Sequence, residues 1–129
     1  MSEQKKVLYV EDEVDIQTIA RIALEKIGGF KLAICSSGQE ALDQVEDFNP
    51  DIILLDVMMP GMDGLETFQA LKKIPFCTKI PVVFMTARVQ THEVKHYLEL
   101  GAIGVIAKPF SPLTLADQVK EILGTTTGG

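Results

Sequence analysis

The chain alternates five times between a short apolar run and a stretch with helical periodicity. The apolar runs are Val7–Val10, Phe30–Cys35, Ile52–Leu55, Val82–Met85 and Ile103–Ala107. Short runs rich in Val, Ile and Leu are typical of parallel strands that helices bury on both faces. The alternation therefore predicts an α/β protein whose parallel strands are joined by right-handed helical crossovers.

Helical patterns with their own start and stop signals lie between and after these runs. We expect helices over residues 16–27, 37–45, 65–75, 91–100 and 111–124. In the first, apolar residues recur at helical spacing from Ile16 through Ile19 to Ile27, and Gly28 follows as a stop signal. Ser37 and Glu40 have the spacing of a capping box. The whole pattern predicts a flavodoxin-like, doubly wound sheet of five parallel strands in the order 2-1-3-4-5, with five helices.

The length of 129 residues fits one domain. We expect the domain to occupy residues 1–124, with the Thr- and Gly-rich residues 125–129 as a flexible tail. Because the chain starts at Met1, we expect that end to be the natural one, while a truncation after Gly129 stays open.

Charge and apolar content limit where such a protein acts. The net charge of −6 argues against binding nucleic acid or an anionic membrane through the bulk electric field. No apolar run approaches the ~20 residues of a membrane-spanning helix, and no signal peptide is recognisable. Cys35 and Cys77 form no CxxC pair, which is typical of reduced thiols. We therefore expect a soluble, cytoplasmic protein.

Residues with reactive side chains follow four of the five predicted strands. Glu11 and Asp12 follow the first strand, Asp56 the third, Thr86 the fourth and Lys108 the fifth. In open α/β sheets, ligands bind at these carboxyl ends of the strands. Crowded carboxylates repel one another, and a hard cation such as Mg²⁺ relieves that repulsion. The pattern predicts phosphoryl transfer to Asp56, with Lys108 and the Thr86 hydroxyl binding the transferred oxygens.

The same residues are similar to those of a known family. The phosphoacceptor loop of response-regulator receiver domains resembles the segment Asp56-Val-Met-Met-Pro60-Gly-Met62-Asp63-Gly64. Three further parts of that family's pattern occur here at the expected spacing: the Glu11-Asp12 pair, Thr86 and Lys108-Pro109-Phe110. The resemblance extends from Lys6 to Leu123. It implies a domain of two-component signal transduction that catalyses only its own phosphorylation and dephosphorylation.

The resemblance implies a role for each matching residue. Asp56 would be the phosphoacceptor. Asp12 and Asp56 would ligate Mg²⁺, with Glu11 acting through water and the backbone carbonyl of Met58 as a further ligand. Lys108 would pair with Asp56 or with its phosphate.

Further roles concern signalling and the loops. Thr86 would move its hydroxyl toward the new phosphoryl oxygens. The Lys108–Pro109 bond would be cis. Pro60 and Gly64 would shape the loop that holds Asp56.

The family also implies partners. A sensor histidine kinase or a histidine phosphotransfer protein would donate the phosphoryl group. A downstream protein would bind the face formed by helix four, strand five and helix five, and dimerisation through that face is left open.

Two positions depart from the family pattern. Val105 stands where the family usually has Tyr or Phe, so we expect the signal to depend on backbone shifts in Thr86–Val94. Met58 and Arg88 flank the expected path of the attacking water, and Arg88 is expected to hold phosphate or Glu11.

Other classes of function remain as alternatives. His92-Glu93-Val94-Lys95-His96 matches the H-E-x-x-H pattern of zinc proteases, but the chain has no further histidine and little room for a substrate domain. We favour a polar helix face there, with Val94, Tyr97 and Leu98 facing inward. An aspartyl-phosphate phosphatase should have an acid where Met58 stands. A pseudo-receiver that never accepts phosphate is the remaining alternative.

Overall fold

The computed structural model describes residues 4–59 and 61–126, and for residues 125 and 126 only the backbone. Its sheet contains five parallel strands: β1 (Lys6–Val10), β2 (Lys31–Cys35), β3 (Ile52–Asp56), β4 (Val82–Thr86) and β5 (Gly104–Ala107). The strand order is β2-β1-β3-β4-β5, as the sequence predicted. Each strand lies within a residue or two of its apolar run, and β3 is buried along its whole length.

Helices connect the strands and cover both faces of the sheet. They are α1 (Val14–Arg21, continued by a π-helical segment, Ile22–Ile27), α2 (Gly38–Phe48), α3 (Gly64–Lys72), α4 (Thr91–Leu100) and α5 (Leu115–Thr126), with a 3₁₀ turn at Pro75–Cys77. The Ser37 side chain caps α2 by accepting from the backbone N–H of Glu40. Among the described residues, no helix is both long and apolar enough to cross a membrane.

Both ends of α5 differ from the prediction. The helix begins at Leu115, after a turn in which the N–H of Leu115 donates to the carbonyl of Ser111. It continues past Gly124, because Gly124 does not adopt the positive φ with which glycine commonly ends a helix. The boundary between domain and tail at residue 124 stays a prediction, and residues 127–129 lie outside the described part of the chain.

The hydrophobic core has two halves, one on each face of the sheet. One half contains Tyr9 of β1 and packs against α1 and α5. The other contains Phe84 of β4 and packs against α2, α3 and α4. The reactive residues at the strand ends are therefore mounted on a sheet that is buried on both sides.

Some apolar residues face away from this core. Leu98 is 45% exposed, so its predicted inward position was wrong. Successive helical residues are about 100° apart, and the neighbouring Tyr97 occupies the buried direction instead. Ile19 and Ile27 also lie at the surface. Ile27 ends the π-helical segment, whose periodicity differs from that of an α-helix, whereas Ile19 lies in the α-helical part of α1 that precedes it.

Candidate functional site

The sheet brings the predicted reactive residues together at its carboxyl edge. Asp56 and Thr86 are the last residues of β3 and β4, while Glu11 and Lys108 directly follow β1 and β5. Backbone hydrogen bonds fix these ends: the N–H of Glu11 donates to the carbonyl of Cys35, and that of Lys108 to the carbonyl of Thr86. Their spacing is thus set by the sheet rather than by flexible loops.

Three carboxylates form an acidic cluster at this edge. One oxygen from each of Glu11, Asp12 and Asp56 lies within 4.8 Å of the others. Glu11 and Asp56 are buried. The Oδ1 atom of Asp12 is buried and has no hydrogen-bond partner among the described residues. An unpaired buried carboxylate oxygen beside two more carboxylates fits a hard divalent cation.

Lys108 balances part of this negative charge. Its Nζ lies 2.9 Å from Oε1 of Glu11 and 3.3 Å from Oδ2 of Asp56. Burial alone would lower the pKa of Lys108, but hydrogen bonds and charge from Glu11 and Asp56 raise that pKa above its ordinary value. Lys108 is therefore a fixed positive charge between two buried carboxylates.

The environment of Asp56 disfavours its charged form. Burial and repulsion from Glu11 raise the pKa of Asp56 to about 6, and this rise is opposed by Lys108 and by the N–H of Met58. That N–H donates to Oδ1 of Asp56 over 3.2 Å. An additional cation would relieve the repulsion and favour the carboxylate.

The loop after Asp56 depends on glycine. A Cβ on Gly64 would overlap the carbonyl oxygen of Asp56, so the close approach of α3 to β3 requires glycine there. Gly61 has a φ of +72°, which also favours glycine. Met58 in the same loop has an exposed side chain. Pro60, the other residue predicted to shape the loop, lies outside the described residues.

Thr86 connects the site to the loop before α4. Its Oγ1 is buried and accepts from the backbone N–H of Arg88 over 3.0 Å. The Arg88 guanidinium lies 3.6 Å from Glu93 in the first turn of α4. Among the described residues, the ion-pair partner of Arg88 is therefore Glu93. The sequence had indicated Glu11 or phosphate as the two alternatives. The predicted cis bond between Lys108 and Pro109 is confirmed.

Val105 lies in a different setting from the aromatic residue that the family usually has. It pairs with Phe84 in the sheet and is partly buried on the face that α4 covers. The Phe84 ring contacts Tyr97 of α4 edge-to-face at 5.3 Å. Aromatic packing between β4 and α4 is thus supplied by Tyr97.

The two histidines lie on the exposed side of α4, as expected. Within the described residues, three side chains that could hold a metal ion together are those of Glu11, Asp12 and Asp56. This group contains neither His92 nor His96. The metal-protease interpretation therefore gains no third ligand.

Sequence reasoning missed one residue of the site. Tyr9 is fully buried, and its hydroxyl donates to Oε1 of Glu11 over 3.1 Å. It was treated only as part of an apolar strand. The available signal was its position two residues before Glu11, since residues i and i+2 of a strand point to the same face.

Comparison with known proteins places this arrangement in a family. Residues 7–120 match the family model of the response regulator receiver domain. The chain is 40% identical over 121 residues to the alkaline phosphatase synthesis transcriptional regulatory protein PhoP of Bacillus subtilis, covering 92% of this chain and 48% of PhoP. It is 36% identical to the phosphate regulon transcriptional regulatory protein PhoB of Pseudomonas aeruginosa, covering 97% of this chain and 54% of PhoB. The chain thus spans about half the length of these curated relatives.

Solved structures agree with the sequence relatives. The chemotaxis response regulator CheY4 of Vibrio cholerae superimposes with a TM-score of 0.85 at 28% identity, covering 93% of this chain and 99% of that one. A response regulator from Chloroflexus aurantiacus superimposes with a TM-score of 0.84 at 30% identity, covering 95% of this chain and 99% of that one. The chain belongs to the response regulator receiver domain family, whose members act in two-component phosphorelay signalling.

Proposed function

We propose that Asp56 is the phosphoacceptor of this receiver domain and that its phosphorylation requires Mg²⁺. The observation that carries the proposal is the acidic cluster itself. Oxygens of Glu11, Asp12 and Asp56 lie within 4.8 Å of one another, and Lys108 lies between two of the three carboxylates. A buried oxygen of Asp12 has no hydrogen-bond partner in the part of the chain that the structure describes.

The metal site would use residues already gathered at the edge of the sheet. Asp12 and Asp56 would bind Mg²⁺ directly, Glu11 would bind through water, and the backbone carbonyl of Met58 would be a further ligand. Bound Mg²⁺ would supply charge neutralisation for the oxygens of the transferred group. The carboxylate oxygens of Glu11 already accept from the N–H of Glu13 and from Lys108, which agrees with metal binding through water rather than directly.

The transfer itself needs positioning more than acid–base chemistry. A carboxylate oxygen of Asp56 would attack the phosphorus of a phosphohistidine. The new P–O bond forms as the P–N bond breaks, and the electron pair returns to the imidazole nitrogen of the donor. Lys108 and the Thr86 hydroxyl would then contact phosphoryl oxygens, and hydrolysis by water would restore Asp56.

The phosphoryl donor and the downstream target are both proteins in this proposal. A sensor histidine kinase or a histidine phosphotransfer protein would dock at the rim of the site, where Val14, Met58 and Leu113 expose apolar side chains. The two buried, unpaired cysteines are consistent with a reducing, cytoplasmic location.

Output would leave the molecule through the face of α4, β5 and α5. Leu98 on α4 and Ile103 just before β5 expose aliphatic side chains there. This face would bind a downstream protein, or a second copy of the chain as the alternative. The net charge of −6 argues against direct binding to nucleic acid.

Intact-mass spectrometry tests the proposal. The protein is incubated with acetyl phosphate and Mg²⁺, beside an EDTA control and an Asp56→Asn control. We expect the parent to gain the mass of one phosphoryl group and both controls to gain none. Absence of any gain in the parent across acyl-phosphate donors and divalent metals would favour the pseudo-receiver instead.

A further inference from the structure

Tyr9 places a neutral hydrogen-bond donor directly behind the acidic cluster. Its hydroxyl donates to Oε1 of Glu11 over 3.1 Å, and Nζ of Lys108 lies 2.9 Å from the same oxygen. One carboxylate oxygen therefore has two donors, one neutral and one charged.

Glu11 depends on these donors because its side chain is closed off from bulk solvent in the metal-free protein. The residue is fully buried, and its other oxygen, Oε2, accepts from the N–H of Glu13 over 3.1 Å. A buried carboxylate oxygen that loses all of its donors is strongly destabilised. Glu11 can thus release Lys108 only while another donor remains on Oε1.

Under the proposed function, Lys108 would change partners during phosphorylation. In the unphosphorylated protein its Nζ is nearer to Glu11, at 2.9 Å, than to Asp56, at 3.3 Å. Binding the phosphoryl oxygens on Asp56 would draw the ammonium group away from Glu11. Tyr9 is packed in the hydrophobic core, so its hydroxyl would stay on Oε1 of Glu11.

We propose that Tyr9 is a positioning residue for phosphoryl transfer, which keeps Glu11 hydrogen-bonded and so frees Lys108 to turn toward the phosphoryl group on Asp56. The inference rests on the proposed function and concerns this chain's own side chains. Tyr9 touches none of the reacting atoms and acts through Glu11 and Lys108.

The test removes one hydroxyl and leaves the aromatic ring in place. Tyr9→Phe preserves the ring in the core, and Tyr97→Phe on α4 is the matched control because it is the other tyrosine of the chain. We expect phosphorylation by acetyl phosphate in saturating Mg²⁺ to slow about tenfold in Tyr9→Phe, the lower end of what one hydrogen bond to a charged group contributes. The rate should be unchanged in Tyr97→Phe.

A double-mutant cycle separates positioning from a general packing effect. If Tyr9 acts through the carboxylate of Glu11 to release Lys108, adding Tyr9→Phe to Glu11→Gln should slow phosphorylation no further, because the neutral amide no longer holds the ammonium group. A packing effect alone would slow the parent and Glu11→Gln by the same factor, since independent effects add in free energy. That equal slowing would overturn the inference.

Metal affinity gives a readout that does not depend on phosphorylation. Calorimetric titration with Mg²⁺ should give the same Kd for Tyr9→Phe and for the parent. If Mg²⁺ binding weakened by the same factor as the rate, Tyr9 would orient Glu11 for the metal, which would also overturn the inference.

The two levels of the account fail in different ways. A parent protein that accepts no phosphoryl group would overturn the proposed function, and this inference with it. A parent that is labelled normally beside an equally fast Tyr9→Phe would overturn this inference alone.

Discussion

At the scale of single residues, the environment of Asp56 disfavours the negative charge of its carboxylate. Burial and the neighbouring Glu11 raise the pKa of Asp56 from 3.8 to about 6, although Lys108 lies within 3.3 Å. The folded protein therefore carries an unfavourable negative charge at neutral pH. A cation that binds beside the carboxylate reduces this unfavourable electrostatic energy.

Replacing Asp56 should consequently stabilise the metal-free protein. Between pH 3.8 and about 6, the folded protein holds a proton on Asp56 that the unfolded chain has released. The free energy of unfolding therefore falls as the pH rises through this range, and the destabilisation by Asp56 is complete above about pH 6. We expect Asp56→Asn to raise the free energy of unfolding by roughly 1–3 kcal/mol at pH 7 in EDTA. The gain should shrink as the pH falls toward 4.

Urea denaturation across that pH range measures this difference. Asp47→Asn, which alters an exposed carboxylate on α2, is the control and should change stability little at any pH. An Asp56→Asn variant less stable than the parent at pH 7 would contradict the proposed electrostatic balance.

At the scale of secondary-structure elements, the connection from β4 to α4 links the site to the proposed output face. Thr86 accepts from the N–H of Arg88, and Arg88 reaches Glu93 in the first turn of α4. If the Thr86 hydroxyl turned toward a phosphoryl group, this hydrogen bond would be perturbed and the loop would move. The edge-to-face contact of Phe84 with Tyr97 would limit the movement of the rest of α4.

Backbone amide NMR shifts test this coupling. We expect phosphorylation to move the amide signals of residues 87–94 strongly, and Thr86→Ser to preserve that response because it keeps the hydroxyl. Thr86→Ala should still accept the phosphoryl group but lose most of the shift. It should also lose about 0.5–1.5 kcal/mol of stability, because the N–H of Arg88 loses its acceptor on Thr86. Equal shifts in Thr86→Ala and the parent would exclude Thr86 as the link.

The same scale explains what the sequence could and could not predict. The strands followed from local apolar runs, and their order followed from the flavodoxin-like, doubly wound class of the alternating pattern. The grouping of Glu11, Asp56 and Lys108 followed from where parallel strands end. The exposure of Leu98 depends on which neighbouring residue α4 turns toward the sheet, a choice made by packing against Phe84. The bond from Tyr9 to Glu11 was missed because an apolar pattern does not reveal where a buried phenol finds its acceptor.

At the scale of the whole molecule, metal binding and folding should be linked. The carboxylate oxygens gathered within 4.8 Å exist as a cluster only in the folded chain. A cation that binds the folded state alone stabilises it by about 2.7 kcal/mol at one hundred times its Kd. The acidic cluster should therefore make the stability of the domain depend on Mg²⁺.

Thermal unfolding with and without Mg²⁺ measures this linkage. We expect Mg²⁺ to raise the Tm of the parent and of the Asp47→Asn control. It should have little effect on Asp12→Asn, which loses a carboxylate whose buried Oδ1 lacks a hydrogen-bond partner within residues 4–59 and 61–126. Equal Mg²⁺ stabilisation of Asp12→Asn and the parent would show that the ion binds elsewhere.

The central claim is that the phosphoryl group goes to Asp56. The most direct measurement is to phosphorylate the protein with acetyl phosphate and Mg²⁺, reduce it with sodium borohydride, and map the peptides by mass. Borohydride converts an aspartyl phosphate to homoserine, so the modified residue keeps a permanent label. The account predicts homoserine at position 56 and at no other carboxylate. A label at Asp12, Glu11 or any other residue, with position 56 unmodified, would contradict it.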